Sequence, residues 1–165
     1  PKYYLDDSKE LLNILLKDND WLYGAYNKGI MNLAYLAAKQ NNRKITGIAP
    51  KQYEDDLKEL DIDEKIVVDN IEARTNKLIT MSDAIVFLPG GIGTMNEIFS
   101  SIDAKRCNEF NKPIIIYNSN HYYDKLIDFL DKLYNEVFSP VEVKNTYYVT
   151  ENKEEVIKLI NKEEV

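Results

Sequence analysis

The stretch AIVFLPGGIGTMNEIF, residues 84–99, contains the transition on which the fold depends. Its first five residues are apolar and rich in β-branched side chains, which is typical of a buried strand. Pro89 ends that run, three glycines follow, and from Thr94 onward the apolar residues recur at helical spacing. A strand that leads through glycines into a helix predicts one βα unit of a parallel sheet.

The rest of the chain repeats this alternation of short apolar runs and helical periodicity. We predict strands in WLYGAY, KITGIAP, KIVVDN, AIVFLPG, PIIIYN and TYYVT. We predict helices near residues 3–17, 28–40, 71–82, 94–108, 121–137 and 152–162. This order predicts the α/β class, with a doubly wound parallel sheet flanked by helices in a single domain of residues 1–165.

Charge and composition exclude several classes of partner. The chain has 28 acidic and 21 basic residues and a net charge of −7, which argues against broad attraction to nucleic acids or anionic membranes. No apolar run approaches the length of a membrane span, and the N-terminal residues show no signal-peptide pattern. The single cysteine, Cys107, fits a reducing compartment. We therefore expect a cytoplasmic protein with no nucleic-acid or membrane partner.

The predicted helix at residues 28–40 is apolar almost all round. Its apolar residues are Ile30, Met31, Leu33, Ala34, Leu36, Ala37 and Ala38. One sheet face cannot cover every side of a helix, so we expect burial against a second subunit in a homodimer or higher homo-oligomer.

The three glycines after Pro89 predict a site for a single phosphate. In open parallel sheets, ligands bind beyond the carboxyl ends of the strands. Gly90, Gly91 and Gly93 can take positive φ and carry no Cβ, so the backbone amides there, including that of Ile92, can surround an anion. A helix that begins near Thr94 would add its free N–H groups, its dipole and the threonine hydroxyl. The spacing matches neither the dinucleotide nor the Walker pattern, so neither NAD nor ATP hydrolysis is indicated.

Glu97 has two interpretations from the sequence. Residues 94–97 fit a capping box, in which the glutamate accepts a hydrogen bond from the backbone at the start of the helix. Alternatively, Glu97 lies off the apolar stripe of the helix and points across the glycines as a catalytic carboxylate. That stripe consists of Met95, Ile98, Phe99 and Ile102.

Arg74 also has two interpretations. In IEARTNKLITM it falls on the same predicted stripe as Ile71, Leu78 and Met81. Its aliphatic stem can pack there while the guanidinium reaches solvent. Alternatively, the guanidinium faces a substrate group or Glu97, because an arginine on an apolar face needs a partner.

Several stretches of the sequence resemble motifs of a known family. PGGIGTMNE, preceded by a helix that contains Arg74, resembles the paired motifs PGGxGTxxE and MxxRK of the "lonely guy" family of cytokinin-activating nucleoside 5′-monophosphate phosphoribohydrolases. Residues 23–31, YGAYNKGIM, resemble the family's YGGGxxGLM loop. Residues 112–114 and 122–124 resemble its KPV and GYYD stretches. The resemblance covers roughly residues 1–138.

The resemblance implies a Rossmann-like fold, a dimer or larger assembly, and hydrolysis of a purine nucleoside 5′-monophosphate to free base and ribose 5-phosphate. It implies that Glu97 lies near C1′ of the substrate and that Arg74 orients substrate and glutamate. It also implies that residues 90–94 anchor the 5′-phosphate and that Gly24 belongs to the binding site. No metal or other cofactor is expected, and no lysine pattern supports a pyridoxal phosphate decarboxylase.

Two alternatives from other classes stay open. One is a non-catalytic nucleotide-binding or carrier protein, like the molybdenum-cofactor carriers that resemble this family, which would keep the glycines without needing Glu97 and Arg74. The other is an interaction module whose apolar helix at residues 28–40 is the functional element.

The chain departs from the family pattern in three places. Gly24, Ala25 and Tyr26 stand where the family has three glycines, so we expect a more obstructed approach to ligand and a different substrate preference. Thr75 replaces the lysine of the Arg-Lys pair, so we expect weaker phosphate binding. Residues 1–3 resemble the segment after the family's first strand, so we expect that strand to be missing from this sequence, either because the sequence is a fragment or because the sheet is completed differently.

Overall fold

The computed structural model describes residues 1–161, and these group into two compact units. The first unit is Pro1–Ser82, and the second begins at Asp83. Each unit has α/β architecture with its own three-stranded parallel sheet. Within residues 1–161, no helix has both the length and the apolarity needed to span a bilayer.

The first unit alternates helices and strands from its first residues. Its elements are α1 (Lys2–Leu15), β1 (Trp21–Tyr23), α2 (Ile30–Gln40), β2 (Ile45–Pro50), a 3₁₀ turn (Lys51–Tyr53), α3 (Glu54–Lys58), β3 (Glu64–Val68) and α4 (Ile71–Met81). The strand order is β1-β2-β3, so β2 is central. All six residues of β2 are buried, because a central parallel strand is covered on both faces.

Close packing against β2 requires a glycine at position 47. A Cβ at Gly47 would lie 2.6 Å from Ile62 Cδ1 and 3.3 Å from Ala25 Cβ. The segment that follows β1 therefore packs directly on the middle of the central strand. This contact positions the Gly24 segment within the first unit.

The second unit continues the same alternation. Its elements are β4 (Ile85–Phe87), α5 (Ile92–Arg106), β5 (Ile114–Tyr117), a 3₁₀ turn (Ser119–His121), α6 (Asp124–Asn135), a 3₁₀ helix (Val141–Thr146), β6 (Tyr148–Thr150) and α7 (Lys153–Asn161). The strand order is β4-β5-β6. Ile114, Ile115 and Ile116 of the central strand β5 are all 0% exposed and form the centre of this core.

Parallel pairing brings the carboxyl ends of β4 and β5 to one edge of the second sheet. Ile85 pairs with Ile114 and Phe87 with Ile116, so the residues that follow each strand emerge side by side. Residues 88–91 leave β4 at this edge, and residues 118–122 leave β5 there. This edge is where the glycines and the first turn of α5 lie.

The predicted α/β class and the parallel pairing are confirmed. All six predicted strands are present but several are shorter, as in WLYGAY, where only Trp21–Tyr23 is strand. The strands pair as two separate three-stranded ladders. The last predicted helix is confirmed as α7, while residue 162 lies outside the described residues. The expectation of a single domain stays a prediction.

Helix α2 has one buried face in the single chain. Ala34, Ala37 and Ala38 are buried, whereas Leu36 is 54% exposed and Leu33 is half-buried. The helix begins at Ile30, two residues later than predicted. The predicted cover by a second subunit stays a prediction.

Candidate active site

The three glycines of the second unit lie between β4 and α5, as predicted. Residues 88–94, called the glycine loop from here on, run from the end of β4 into the first turn of α5. Gly91 is the N-cap of α5, and the Met95 N–H donates to its carbonyl at 3.1 Å. The amides of Ile92, Gly93 and Thr94 precede this first bond of the helical ladder. They form the positive end of a helix of 15 residues.

The predicted start of α5 near Thr94 is wrong, and this changes the interpretation of Glu97. The helix begins at Ile92, so Glu97 is its sixth residue rather than the third after an N-cap. No side chain caps this helix. The capping-box explanation of Glu97 is therefore excluded, because a glutamate more than a turn inside a helix cannot reach back to the N-cap N–H.

Glu97 lies on the side of α5 that faces the glycine loop. Residues four and three positions before it are Gly93 and Thr94, and helical side chains lean toward the preceding turn. Glu97 is half-buried, and its backbone carbonyl accepts a hydrogen bond from Ser101 Oγ at 2.7 Å. A carboxylate in this position can interact with a group that is attached to a phosphate bound by the loop.

The predicted apolar stripe of α5 is only partly right. Ile98 and Ile102 are buried, but Phe99 is 41% exposed and Ser101 takes its place in the core. The Ser101 hydroxyl can be buried there because it donates to Glu97 O within the helix. Glu97 therefore borders the buried face of α5 instead of lying opposite it.

The physical reason for a glycine differs among the three positions of the loop. A Cβ at Gly90 would lie 2.1 Å from Thr94 Oγ1 and 2.8 Å from Thr94 Cβ, so Gly90 is required by close packing. A Cβ at Gly91 or Gly93 would meet no protein atom within 4 Å. None of the three uses the positive φ that glycine permits, since among the described glycines only Gly29 has it. Open space at Gly91 and Gly93 is the feature expected of a loop that a ligand approaches closely.

Two tyrosines that follow β5 hold the glycine loop from outside. Tyr122 Oη donates to the Gly90 carbonyl at 2.5 Å, and Tyr123 Oη donates to the Leu88 carbonyl at 2.5 Å. Their rings meet edge to face with centroids 4.9 Å apart. Burial raises the pKa of Tyr123, and the charges of Tyr122 and Glu97 raise it further. Tyr123 therefore stays a neutral hydrogen-bond donor at neutral pH.

In the sequence, these tyrosines were noted only as part of the stretch that resembles GYYD, and no role was predicted for them. Their contacts join residues 32 and 35 positions apart. The signal that could have found them is their position directly after β5, whose carboxyl end lies at the same sheet edge as that of β4.

Arg74 and Gly24 lie together in the first unit. A Cβ at Gly24 would be 3.6 Å from Arg74 Nη1 and 3.7 Å from its Cζ, which is ordinary contact distance. Arg74 is half-buried and its Nε is buried. Helix α4 begins at Ile71 because the Asn70 side chain accepts the Ala73 N–H at 2.8 Å, and this places Arg74 near the start of the helix.

The predicted stripe of α4 is wrong in its details. Ile71 and Met81 are 39% and 41% exposed, and the buried positions are Thr75 and Ile79. Arg74 therefore borders the buried face instead of interrupting an apolar one. Thr75, which replaces the lysine of the family motif, is only 4% exposed. The predicted approach of Arg74 to Glu97 joins residues of different units and stays a prediction.

The segment of residues 24–29, called the Tyr26 loop from here on, has a glycine-like backbone at Ala25, where the family pattern has a glycine. Ala25 has φ of +57°, a left-handed conformation that costs a non-glycine residue about 1 kcal/mol. Tyr26 is 57% exposed. The loop is closed by Tyr23 Oη, which donates to Asn27 Oδ1 at 2.9 Å.

Among the described residues, one group has a metal-binding donor set. His121, Asp124 and Glu151 place one donor atom each within 4.8 Å of one another. His121 Nδ1 lies 3.0 Å from Glu151 Oε1, and Asn118 Nδ2 donates to Asp124 Oδ1 at 2.8 Å. These contacts already form an exposed polar network between the three side chains. The expected absence of a metal stays a prediction.

Comparison with known proteins identifies the family. The model of the family described as "Possible lysine decarboxylase" matches residues 31–160. The chain belongs to this family. Cytokinin riboside 5′-monophosphate phosphoribohydrolase LOG2 of Arabidopsis thaliana is 28% identical over 159 residues, which are 95% of this chain and 75% of that protein. LOG3 of the same plant is 32% identical over 137 residues, which are 82% of this chain and 64% of that protein. The resemblance stated from the motifs is confirmed.

Solved structures of this family's fold include molybdenum cofactor proteins. The molybdenum cofactor binding protein of Rippkaea orientalis superposes with a TM-score of 0.69 at 22% identity, covering 98% of this chain and 88% of that one. The molybdenum cofactor carrier protein of Chlamydomonas reinhardtii gives 0.66 at 20% identity, with the same coverage. At these identities the similarity shows the fold alone.

Proposed function

We propose that the protein hydrolyses the N-glycosidic bond of a purine nucleoside 5′-monophosphate, of adenine or cytokinin type, to free base and ribose 5-phosphate. The observation that carries this proposal is the open space at Gly91 and Gly93 with Glu97 one turn further along the same helix face. If the phosphate of a ribose 5-phosphate group occupied that space, the C1′ end of the sugar could lie beside the Glu97 carboxylate. The names of the plant relatives support the same reaction class.

In the proposed mechanism, the glycine loop binds the 5′-phosphate. The amides of Gly91, Ile92, Gly93 and Thr94 donate to phosphate oxygens, with Gly90 shaping the turn and the Thr94 hydroxyl as a further donor. The phosphate does not react, so its binding energy holds C1′ in place for the chemical step. This fixes the distance between the sugar and Glu97.

The chemical step breaks the bond between C1′ and the base nitrogen and forms a bond between C1′ and water. Positive charge develops on the ribose ring as the base leaves, and the Glu97 carboxylate stabilises that charge. Glu97 also accepts a proton from the attacking water, and that same proton then passes to the leaving base, which leaves the carboxylate ionised again. Arg74 orients the substrate and the carboxylate, and Gly24 leaves room beside the guanidinium.

The direct test is to incubate the full chain with AMP and with isopentenyl-AMP while measuring ribose 5-phosphate. We expect turnover of at least one of these, unaffected by EDTA and without nicotinamide or pyridoxal phosphate. Lysine with pyridoxal phosphate serves as a parallel substrate, because the family description names a decarboxylase. Release of cadaverine without release of ribose 5-phosphate would contradict the proposal.

A variant of this protein provides a matched control for the EDTA experiment. His121→Ala removes one donor of the His121, Asp124 and Glu151 group, which lies on the segments that follow β5 and β6. We expect its activity, like that of the parent, to be the same with and without EDTA. Activity lost in EDTA and restored by a divalent ion would overturn the metal-free mechanism.

A second candidate is a non-catalytic carrier of a phosphate-containing ligand. The observation that favours it is the fold similarity to molybdenum cofactor binding and carrier proteins. This candidate needs the glycine loop but not Glu97. Phosphate-dependent binding of nucleotides or of a pterin cofactor, with no release of ribose 5-phosphate from any nucleoside monophosphate, would favour it.

We also propose that the protein is a homodimer or higher homo-oligomer whose interface includes α2. Leu36 is 54% exposed on α2, most of whose residues are apolar, and Tyr3 on α1 is 52% exposed. Light scattering at micromolar concentration should give at least twice the chain mass, and Leu36→Lys should reduce it. A monomeric parent would contradict this proposal.

A further inference from the structure

The Gly90 carbonyl is held by a side chain from outside the glycine loop. Tyr122 Oη donates to it at 2.5 Å, from the turn between β5 and α6. The Tyr122 ring is supported by its edge-to-face contact with Tyr123, which is 1% exposed. The Tyr122 N–H also donates to Ser119 O at 3.1 Å, so both its backbone and its ring are anchored.

A hydrogen bond to the Gly90 carbonyl also sets the direction of the next amide. In a planar trans peptide, the carbonyl of one residue and the N–H of the following residue point in opposite directions. The Gly90 carbonyl and the Gly91 N–H belong to the same peptide group, and the chain has no cis peptide among the described residues. Holding the carbonyl at Tyr122 therefore turns the Gly91 N–H away from Tyr122.

The space beside the Gly91 Cα, next to that N–H, is open. A Cβ at Gly91 would meet no protein atom within 4 Å. If the peptide rotated by half a turn, the Gly90 carbonyl oxygen would replace the N–H there and would repel an anion. The preference of this loop for a phosphate thus depends on the orientation of one peptide group, which glycines on both sides leave free to rotate.

We propose that Tyr122 is a positioning residue for phosphate recognition: its hydroxyl fixes the peptide between Gly90 and Gly91 so that the Gly91 amide faces the ligand. This deepens the proposed function and rests on the phosphate site of that proposal. Tyr122 touches the loop and not the reacting atoms, so it affects substrate affinity more than the chemical step.

Tyr123 provides an internal comparison. Its hydroxyl donates to the Leu88 carbonyl at 2.5 Å, the same length as the Tyr122 bond. The peptide that it holds joins Leu88 to Pro89, and proline has no N–H to present to a ligand. The Tyr123 bond therefore anchors the chain without orienting a phosphate donor.

The experiment compares three Tyr→Phe variants of the full chain. Tyr122→Phe and Tyr123→Phe remove the two loop contacts, and Tyr134→Phe removes a hydroxyl whose Oη lies 3.1 Å from Tyr147 Oη in the same unit, away from the loop. The measurements are dissociation constants for inorganic phosphate and ribose 5-phosphate by calorimetry, KM and kcat for AMP, and melting temperature.

For Tyr122→Phe we expect both dissociation constants and the KM to rise about threefold to tenfold, the scale of one hydrogen bond, while kcat stays within about twofold. Phosphate should also shift the Gly91 amide resonance less in this variant than in the parent. For Tyr134→Phe we expect a lower melting temperature with unchanged dissociation constants. For Tyr123→Phe we expect a lower melting temperature and a change in affinity below about twofold.

Two results would overturn the proposal. One is a Tyr122→Phe variant that binds ribose 5-phosphate as tightly as the parent, and the other is a loss of affinity in Tyr134→Phe that matches the loss in Tyr122→Phe. A parent that binds ribose 5-phosphate through Tyr122 but cleaves no nucleoside monophosphate would refute the proposed hydrolysis while supporting this inference. A parent that binds neither phosphate nor ribose 5-phosphate would overturn both.

Discussion

The glycine loop and the Tyr26 loop are built on the same plan but are stabilised in different ways. Each follows a parallel strand and leads into a helix. The Tyr26 loop accepts left-handed backbone at Ala25 and closes on itself through the Tyr23 to Asn27 hydrogen bond. The glycine loop has negative φ at its glycines, leaves Cβ positions open at two of them, and is held by hydroxyls from a distant segment.

The difference shows that a glycine in a loop has no single meaning. In the glycine loop, Gly90 makes room for Thr94, whereas Gly91 and Gly93 leave space that no protein atom fills. In the Tyr26 loop, an alanine accepts the conformation that glycine would take at lower cost. A loop whose conformation is fixed by outside contacts loses less conformational entropy when a ligand binds.

The largest effect that we expect tests the carboxylate beside the glycine loop. Glu97→Gln keeps the size of the side chain and one acceptor oxygen but removes the charge that stabilises the developing cation. We expect turnover of the nucleoside monophosphate to fall about a hundredfold or more, with a melting temperature close to that of the parent. Glu109→Gln, an exposed change after the same helix, serves as the control.

If Glu97→Gln hydrolysed the substrate at nearly the parental rate, the catalytic role proposed for Glu97 would be refuted. The glycine loop would then contribute substrate binding alone, and the group that stabilises the developing cation would be a residue other than Glu97. Because Glu97 is not a helix cap, a loss of activity cannot be attributed to a loosened start of α5.

The second prediction tests whether the Tyr26 loop serves the same reaction. Arg74 lies beside Gly24 in the first unit, and Arg74→Ala should reduce turnover by about the same hundredfold as Glu97→Gln. The double variant should lose much less than the product of the two single losses, because residues that act together are not additive. Arg43→Ala, which removes a surface ion pair with Asp20 in the same unit, is the matched control.

Fully multiplicative losses in the double variant would mean that Arg74 and Glu97 act independently. The first unit would then contribute binding rather than orientation of the carboxylate. Kinetics with saturating AMP would separate the two outcomes.

The third prediction separates the glycines of one loop. Gly91→Ala should keep the parental melting temperature, since its Cβ meets nothing, but weaken ribose 5-phosphate binding by about tenfold by filling ligand space. Gly90→Ala should lower the unfolding free energy by about 1–3 kcal/mol, because its Cβ overlaps Thr94. Calorimetry and urea unfolding of both variants measure the contrast.

If Gly90→Ala and Gly91→Ala changed stability and ribose 5-phosphate binding equally, Gly90 would not be the glycine required by packing and Gly91 would not be the one that leaves ligand space. If Gly91→Ala bound ribose 5-phosphate as tightly as the parent, the open space at Gly91 would not be part of the ligand site. Gly29→Ala is a useful reference, since it tests the cost of a positive φ alone.

The smallest effect concerns the internal closure of the Tyr26 loop. Burial raises the pKa of Tyr23 to about 12 from its ordinary value of 10.0, with Tyr35 as a lesser cause. The folded state therefore holds this proton more tightly than the unfolded state does. The stability that it contributes is complete below pH 10 and is lost as the pH rises from 10 toward 12.

Tyr23→Phe should accordingly lose less unfolding free energy than the parent between pH 10 and 12, measured by urea unfolding. At pH 7 it should be less stable by about 1 kcal/mol, because the bond to Asn27 is gone. Tyr53→Phe, an exposed change in the same unit, should follow the parent through this range. An identical alkaline loss in all three proteins would show that Tyr23 is not responsible.

Much of the fold could be predicted because its signals are local. The β-branched run before Pro89 and the helical spacing after it identified β4 and α5 to within a few residues, and the same alternation located the other strands. The predicted ends of the helices and strands were less accurate. The N-cap of α5 is Gly91 rather than Thr94, and the residue types in this stretch do not show which of the two begins the helix. The two-residue shift was enough to exclude the capping box at Glu97.

The sequence predicted where the candidate site lies along the chain, but not the packing at its residues; the roles of those residues stay predictions. The spacing of the glycines predicts a phosphate site, but the positive φ that glycine permits is not used there, and the lack of a Cβ is the property that the structure uses. Arg74 was assigned to an apolar stripe, although Thr75 and Ile79 form the buried positions of α4.

By itself, the sequence determined the order of helices and strands, the parallel sheets, the position of the glycine loop before a helix and the presence of a carboxylate one turn beyond it. These follow from periodicity and from glycine and proline, which act on the backbone within a few residues. The tertiary structure alone decided that Tyr122 reaches Gly90 across 32 positions and that Gly24 lies against Arg74. Contacts of this kind depend on how whole elements pack at one sheet edge, and no local pattern records which side chain will arrive there.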